Sequence, residues 1–209
     1  MFVVNFNIDE VFTVAVPVIA AVSALVSAGA ALRANDIKRV VAYSTISQLA
    51  FILLGLSCGN EVGVAGGMLY ILMHSVAKGG LFLCAGIVEH NVHTKDITKM
   101  GGLYKKMPLT AIAFVFCAFS IMGIPPFGGF FAKYLVIAGI VSTGNVLLGA
   151  LFIIGAVMTV LYLTRLFAKV FLGQETFPNA KEGTPLMVVS VVILAVLSVL
   201  LGIFINLPS

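Results

Sequence analysis

The sequence predicts an all-α polytopic membrane protein with six transmembrane helices, one of them discontinuous. Of its 209 residues, 61% are hydrophobic and only 10% are charged, a balance that soluble domains of this size do not have. The apolar residues form six long segments, and a membrane helix needs about 20 such residues. One segment is longer than a single span requires and is interrupted by prolines and glycines, which break helices.

The six segments form a single transmembrane domain over residues 1–209. No stretch between them is long enough for a soluble domain. Asp9 and Glu10 precede the first segment without the basic residues that a signal peptide carries, so we expect no signal peptide. The segments cover about 11–31, 40–58, 62–88, 108–142 (the broken one), 145–171 and 185–207.

The basic residues predict how the spans are oriented. Of the 12 Lys and Arg residues, ten lie in or beside three loops that span counting puts on one side. The other side carries only Asp9, Glu10 and Glu61. By the positive-inside rule we expect the basic loops to be cytoplasmic and both termini to lie outside the cell membrane. The net charge of +4 then reflects topology, and the expected partner is lipid rather than nucleic acid. The ten residues are Arg33, Lys38, Arg39, Lys95, Lys99, Lys105, Lys106, Arg165, Lys169 and Lys181.

The second segment carries the first polar face of the chain. Ser44 and Gln48 are four residues apart and share one side of a helix, with Thr45 and Ser47 flanking them. These side chains predict either hydrogen bonds between helices or a hydroxyl-lined wet path. The sequence leaves both alternatives open.

The third segment carries a stripe of polar residues at membrane depth. Tyr70, His74 and Lys78 are spaced four residues apart and therefore lie on one helix face. A lysine at this depth costs at least about 2.5–3.5 kcal/mol, which favours a functional role. A lone membrane histidine is as often a packed polar residue, but one turn from a buried lysine it is a candidate proton relay. Gly79 and Gly80 are expected to loosen the helix after Lys78.

The fourth segment, 108–142, contains the element around which the chain is organised. Prolines and glycines near its middle are expected to break the helix, leaving carbonyl and amide groups that lipid cannot satisfy. Lys133 follows the break, and we expect it in the first turn of the second half-helix. A broken helix with an ionisable residue at membrane depth is the usual pointer to an ion site. The breaking residues are Gly123, Pro125, Pro126, Gly128 and Gly129.

The remaining residues predict neither a cofactor nor a metal site. No haem, flavin or nucleotide motif is present, and His90 and His93 lie among mixed charges that are expected to be solvated. Arg165 is expected to be an interfacial anchor, and the uncharged last segment is expected to be a peripheral packing helix. The three cysteines form no CxxC pair and are expected to be small packing residues: Cys58, Cys84 and Cys117.

Several of these motifs resemble those of the antiporter-like membrane subunits of respiratory complex I. That family also includes Mrp-type cation/proton antiporters and membrane-bound hydrogenases. The stretch 36–48, DIKRVVAYSTISQ, resembles the family signature, and 74–78, HSVAK, matches its HxxxK motif. The stretches 99–103, KMGGL, and 123–133, GIPPFGGFFAK, complete the series in the family's order. The resemblance covers residues 11 to about 172.

The resemblance implies both a fold and roles for residues. Family members contain two inverted helix repeats, and this chain resembles the second repeat plus a terminal helix. It is therefore expected to be one half of an inverted-repeat antiporter fold, with another membrane subunit supplying the first repeat unless the chain is a split or truncated subunit. The role of the family's central lysine carries over to Lys133. A relay role carries over to His74 and Lys78.

Three functions remain open from the sequence. The chain could be a proton-translocating subunit of a complex I-like pump, of the NADH dehydrogenase or hydrogenase type, with partner subunits performing the redox chemistry. It could instead belong to an Mrp-type Na⁺/H⁺ antiporter, or be a structural membrane anchor with an idle half-channel. In the transport cases we expect Lys78 and His74 to pass protons toward Lys133 along the Ser, Thr and Gln face of the second span.

Overall fold

The structure, a computed structural model, describes residues 11–204, and this part of the chain is helical. It contains no strand; its one isolated bridge joins Asp36 to Asp96. The all-α prediction is confirmed, whereas the polar lead-in with Asp9 and Glu10 and the end of the segment 185–207 lie outside the described residues. A π-helical turn, Val11–Ala15, leads into α1 (Val16–Arg33), α2 (Ile37–Ser57), α3 (Glu61–Val92), α4 (Pro108–Met122), α5 (Gly128–Ser142), α6 (Val146–Phe171) and α7 (Pro185–Phe204).

The lengths and composition of the helices agree with an integral membrane protein that has a broken span. Within residues 11–204, five helices are long and apolar enough to cross a membrane: α1 with its preceding turn, α2, α3, α6 and α7. α4 and α5 have 15 residues each, which is too short to cross alone. They occupy the segment predicted to be discontinuous, with residues 123–127 between them. The total of six spans stays a prediction.

The three basic loops lie together at one end of the helix bundle. The amide of Ile37 donates to the carbonyl of Lys95 at 2.9 Å, which joins the first loop to the second. The guanidinium of Arg165, near the end of α6, donates to the carbonyl of Ala34 at 2.9 Å. These contacts put the three loops on the same side of the bundle. That this side is cytoplasmic stays a prediction.

The loop after α6 anchors the beginning of α4. The carboxylate of Glu182 accepts hydrogen bonds from the amide of Leu109 at 2.7 Å and from the hydroxyl of Thr110 at 2.8 Å. A carboxylate at a helix N-terminus satisfies amides that have no partner within the helix and interacts favourably with the helix dipole. Glu182, which lies 73 positions after Leu109, therefore holds the end of α4 that is farthest from the break.

The second half of the broken span ends at the opposite side of the bundle. The side-chain amide of Asn60, between α2 and α3, donates to the carbonyl of Gly139 in α5 at 2.8 Å. Helices α3 and α5 approach closely here, since a Cβ added to Gly66 would lie 2.7 Å from the amide nitrogen of Val136. Together α4 and α5 connect the end that carries the basic loops to the end that carries Asn60.

Glycines allow the break itself to pack tightly against its neighbours. Gly123 ends α4 in the left-handed conformation, with φ of 80°, which favours glycine. A Cβ on Gly129 would lie 1.8 Å from the carbonyl oxygen of Ser120, and one on Gly202 would lie 2.2 Å from that of Pro126. The last helix therefore contacts the break. The buried face of α7 includes Ser198, which lies four residues before Gly202 and is 1% exposed. That α7 is a peripheral packing helix stays a prediction.

Helix α3 also differs from the prediction in one detail. It runs without interruption from Glu61 to Val92, so Gly79 and Gly80 do not break it. Gly80 instead allows α4 to come close, because an added Cβ would lie 2.3 Å from the sulfur of Cys117. Close approach between membrane helices is the common role of small residues in such spans.

Replacing Gly202 with alanine should lower the free energy of unfolding by about 1–3 kcal/mol, the usual cost of overpacking. The added methyl group would meet backbone atoms of residues 126–128, which cannot rotate away. Gly86→Ala is a matched control, since a Cβ there has none of the described atoms within 4 Å. The measurement is the unfolding midpoint of the purified protein in detergent. Equal midpoints for the two variants would contradict the close packing of α7 on the break.

Candidate functional site

Lys133 lies in α5 beyond the break, but one turn later than predicted. The helix begins at Gly128, so Lys133 is its sixth residue and belongs to the second turn. The effect of a helix dipole falls off within the first turn. The main influences on this lysine are therefore its burial, at 5% exposure, and its immediate contacts.

The ammonium group of Lys133 reaches back across the break. Its Nζ donates to the carbonyl of Ile121 at 2.7 Å, one of the groups near the end of α4 that have no partner within that helix. Nζ also lies 4.8 Å from the ring centroid of Phe51 and 5.9 Å from that of Tyr70. The carbonyl and the ring faces favour the charged form, and burial disfavours it. Opposing influences of this kind allow a lysine to change its protonation state.

The core around Lys133 contains cationic groups and no described counter-charge. Lys78, His74 and Lys133 are its buried ionisable bases, and no acidic side chain among residues 11–204 is buried. None of the ion pairs in this part of the chain involves the two lysines. When one of these three bases is protonated, its positive charge therefore opposes protonation of the other two.

Lys78 occupies the middle of α3 and faces the interior. It is the 18th of the 32 residues of this helix and is 5% exposed. Its Nζ donates to the hydroxyl of Ser44 and, at 3.2 Å, to the carbonyl of Val41. The predicted stripe of Tyr70, His74 and Lys78 is thus buried against α2.

His74 lies near both lysines and interacts electrostatically with each of them. Its ring makes an edge-on contact with Tyr70, with 6.1 Å between centroids. In the described part of the chain its Nδ1 has no hydrogen-bond partner although it is buried, and the same holds for the hydroxyl of Ser120 beside the break. Buried polar atoms without a protein partner are the positions where ordered water binds. These two atoms are therefore the described buried side-chain atoms that are available to hydrogen-bond a water molecule.

Gln48 connects the polar stripe of α3 to α6. Its side-chain nitrogen donates to the hydroxyls of Thr159, at 3.0 Å, and Tyr162, at 3.1 Å. Its oxygen accepts a hydrogen bond from the hydroxyl of Tyr70. Ser44, which binds Lys78, lies one turn before Gln48 on the same face of α2. A set of neighbouring polar side chains therefore runs from Lys78 through Ser44 and Gln48 to Tyr70, whose ring lies 5.9 Å from the Nζ of Lys133.

The structure places Ser47 outside this set and Thr45 at its edge. The hydroxyl of Thr45 donates to the carbonyl of Val41 in its own helix at 3.0 Å. That of Ser47 donates to the carbonyl of Ala24 in α1 at 3.1 Å. Ser47 therefore bonds away from the lysines, whereas Thr45 shares the carbonyl of Val41 with the ammonium group of Lys78. Of the four polar residues predicted on this helix, Ser44 and Gln48 are the two that face the site.

Thr159 and Tyr162 were missed by the sequence analysis. They lie three residues apart on α6, which places them on one helix face, and both are fully buried. This spacing was a usable signal within an otherwise apolar segment. Their partner Gln48 precedes them by more than 100 residues, so the contact itself could not be foreseen.

A cavity of about 340 Å³ reaches Lys133 from the side of the bundle. It lies between the break and α6, and Gly123, Phe130 and Val157 contribute to its mostly apolar wall. Tyr134 beside it is strongly exposed. Lys133 is therefore separated from the outside of this chain by a short apolar passage.

The sequence matches a known family over most of its length. Residues 1–159 match the profile of the family described as NADH:quinone oxidoreductase/Mrp antiporter, TM. An NADH-quinone oxidoreductase subunit from Desulforudis audaxviator is 32% identical in an alignment of 188 positions that covers 83% of this chain and 38% of that protein. A Na(+)/H(+) antiporter subunit from Alkalihalophilus pseudofirmus is 32% identical in an alignment of 206 positions that covers 96% of this chain and 41% of that protein.

The fold agrees with these sequence relationships. A chain in the structure of respiratory complex I from Thermus thermophilus superposes with a TM-score of 0.84 and 27% identity, over 92% of this chain and 41% of that one. This chain thus spans less than half the length of the relatives it matches. The resemblance seen in the motifs is confirmed: the chain belongs to the NADH:quinone oxidoreductase/Mrp antiporter family of membrane proteins.

Proposed function

We propose that this chain is a proton-translocating subunit of a complex I-related, redox-driven pump and forms one half-channel centred on Lys133. The observation that carries the proposal is the hydrogen bond from the buried Lys133 ammonium to Ile121 across the helix break. A proton gained or lost at this nitrogen changes both a buried charge and a contact between the two half-helices. Proton transfer and a local rearrangement are therefore coupled at one atom.

Protons reach Lys133 from Lys78. In this proposal Lys78 passes its proton to water beside the unpaired Nδ1 of His74, and from there it moves toward Lys133. Ser44, Gln48 and Tyr70 orient this path through their hydrogen bonds. Because no described carboxylate neutralises the core, protonation of Lys78 favours release of a proton from Lys133 by repulsion between like charges.

The energy for net transport comes from partner subunits. Moving one charge against 100 mV requires about 2.3 kcal/mol, which a channel alone cannot supply. The relative from Desulforudis audaxviator is named as a subunit of an NADH-quinone oxidoreductase, and we propose a corresponding multi-subunit assembly for this chain. One partner contributes the first repeat. The assembly lies in the cell membrane with the basic loops cytoplasmic and both termini outside.

A second candidate is a subunit of an Mrp-type Na⁺/H⁺ antiporter. The observation that favours it is the match to the antiporter protein of Alkalihalophilus pseudofirmus, which has the same identity as the first relative and covers 96% of this chain. In that case Na⁺ flux drives the same half-channel, and no redox partner is needed.

A transport assay on the purified complex separates the two candidates. The complex is isolated through a tag on this chain, its subunits are identified, and it is reconstituted in vesicles that contain a pH-sensitive dye. Proton movement that starts with electron donor and acceptor, and that an uncoupler abolishes, is the expected result. Proton movement that needs only a Na⁺ gradient would instead favour the antiporter. An intact complex that moves protons under neither condition would contradict both proposals.

Replacing His74 with alanine should slow proton transport without abolishing it. A bridging water can occupy the space of the imidazole at a cost of about 0–2 kcal/mol, which limits the loss to roughly thirtyfold. The rate of proton uptake in vesicles, normalised to assembled complex, checks this expectation. Near-total loss would mean that His74 is itself an obligatory proton carrier.

A further inference from the structure

A cleft at the basic end of the bundle takes no part in the path of protons. It lies between the end of α1 and the beginning of α2 and has a volume of about 670 Å³. Arg33, Arg39 and Lys95 line it together with Tyr43. Of the three basic side chains, Lys95 has an anionic neighbour, Glu89, at 3.4 Å.

The charges that line the cleft do not cancel completely, since three side chains are basic and two, Asp36 and Asp96, are acidic. No ion pair to Arg33 or Arg39 occurs among residues 11–204. Asp36 and Asp96 also line the cleft, but each has a carboxylate oxygen committed elsewhere. Asp36 accepts hydrogen bonds from two backbone amides at the beginning of α2, at 2.9 and 3.0 Å. Asp96 accepts hydrogen bonds from the amide and the hydroxyl of Thr98, at 2.9 and 2.7 Å. The cleft therefore keeps a net charge of +1 and offers two guanidinium groups to an anion.

Guanidinium groups are well suited to one class of anion. Their planar set of N–H donors matches the oxygens of a phosphate group and can bind it through two parallel hydrogen bonds. Basic pockets between membrane helices on the cytoplasmic side bind phospholipid headgroups for this reason.

The surface beyond the cleft is apolar, which favours a lipid over a soluble phosphate. Val26 lies seven residues before Arg33 on the same face of α1, and Ile46 lies seven residues after Arg39 on the same face of α2. Val26 is 67% exposed and Ile46 is 49% exposed. Tyr43, which is 37% exposed, stands between the charged and apolar parts, where aromatic residues meet the membrane interface. The charged cleft thus continues along both helices as an apolar surface.

We propose that this cleft binds the phosphodiester headgroup of an anionic phospholipid. Arg33 and Arg39 hold the phosphate, and the acyl chains lie along Val26 and Ile46. The site is separate from the half-channel, so it stands whether redox chemistry or Na⁺ exchange drives the complex.

The test compares two double variants that remove the same charge from the same end of the bundle. Arg33→Gln with Arg39→Gln changes the cleft, whereas Lys99→Gln with Lys105→Gln removes two exposed charges outside its lining. The tagged complex in neutral detergent is titrated with fluorescent phosphatidylglycerol, and with phosphatidylcholine for comparison. The cleft variant should bind phosphatidylglycerol roughly thirtyfold more weakly than the wild type. The control should bind it as the wild type does, and phosphatidylcholine should bind weakly to all.

Three results would overturn the proposal. Equal affinity of the two double variants for phosphatidylglycerol would show that the arginines do not bind the lipid. If phosphatidylcholine bound as tightly as phosphatidylglycerol, the charge of the headgroup would not be recognised. If inorganic phosphate alone displaced phosphatidylglycerol, the acyl chains would not contribute to binding. If the cleft variant does not assemble, Arg33→Gln is compared with Lys99→Gln in the same titration, with a loss of roughly fivefold expected for Arg33→Gln alone.

Discussion

Replacing Lys133 with methionine should abolish net proton transport through this half-channel. Methionine is similar in length and fills the same space between Phe51 and Tyr70, but it cannot hold a proton or donate to the carbonyl of Ile121. Lys133→Glu should retain part of the transport. A glutamic acid can also gain and lose a proton, and in its neutral form its hydroxyl can donate to the same carbonyl. The initial rate of proton uptake in vesicles measures both variants.

The comparison of these two variants separates a proton carrier from a structural lysine. If Lys133 served only to bond the carbonyl of Ile121, Lys133→Met should lower the amount of assembled complex but leave the transport rate of each assembled complex unchanged. Assembly of each complex is therefore checked alongside transport. Normal transport by Lys133→Met would contradict the proposed role, and so would equal misassembly of both variants.

Replacing Lys78 with alanine should lower proton translocation while the partner subunits still assemble. Loss of a group that transfers a proton costs typically about 10²–10⁴ in rate. Lys78 is buried and bonded to Ser44 and Val41, and the other buried lysine, Lys133, is the proposed acceptor of its proton, so no described base replaces it as the donor. Ser44→Ala is the matched control, because it removes one acceptor and leaves the lysine bonded to Val41. Proton uptake by the two variants, at equal amounts of assembled complex, is the measurement.

Two results would contradict the relay role of Lys78. A normal rate in Lys78→Ala would rule out a relay role and leave the lysine as a packing residue that hydrogen-bonds α2. Equal losses in Lys78→Ala and Ser44→Ala would point to the hydrogen bond between them, rather than to the proton, as the important feature.

The broken span could be predicted because its signals are local. The prolines and glycines of 123–129 interrupt an apolar run that is too long for one helix, and Lys133 follows at once. The boundary of α5 was predicted less well, because glycine has low helix propensity and Gly128 and Gly129 were therefore expected to remain outside the helix. In the structure both are helical and buried, with Gly129 packed on Ser120. Tertiary contacts override local preference at these positions.

The polar set around Gln48 was only partly predictable for a different reason. Helix periodicity identifies residues that share a face, which correctly grouped Ser44 with Gln48 and Tyr70 with His74 and Lys78. Periodicity does not say which other helix lies opposite that face. The partners Thr159 and Tyr162 on α6, and likewise Glu182 at the beginning of α4, depend on contacts between distant parts of the chain. Thr45 and Ser47 were included although each is one residue away from the shared face. The hydroxyl of Ser47 bonds to α1, and that of Thr45 reaches the site only through the carbonyl of Val41, which also accepts from Lys78.

The number of protons moved per turnover of the driving reaction tests the central claim most directly. The wild-type complex, the Lys133→Met variant and a control, Tyr134→Phe, at the exposed neighbouring position, are compared in the same vesicles. Turnover and proton uptake are recorded together, so that a slower reaction is not mistaken for lost transport. The account predicts a lower ratio of protons to turnovers in Lys133→Met and an unchanged ratio in Tyr134→Phe. An unchanged ratio in Lys133→Met, with the driving reaction still running, would contradict it.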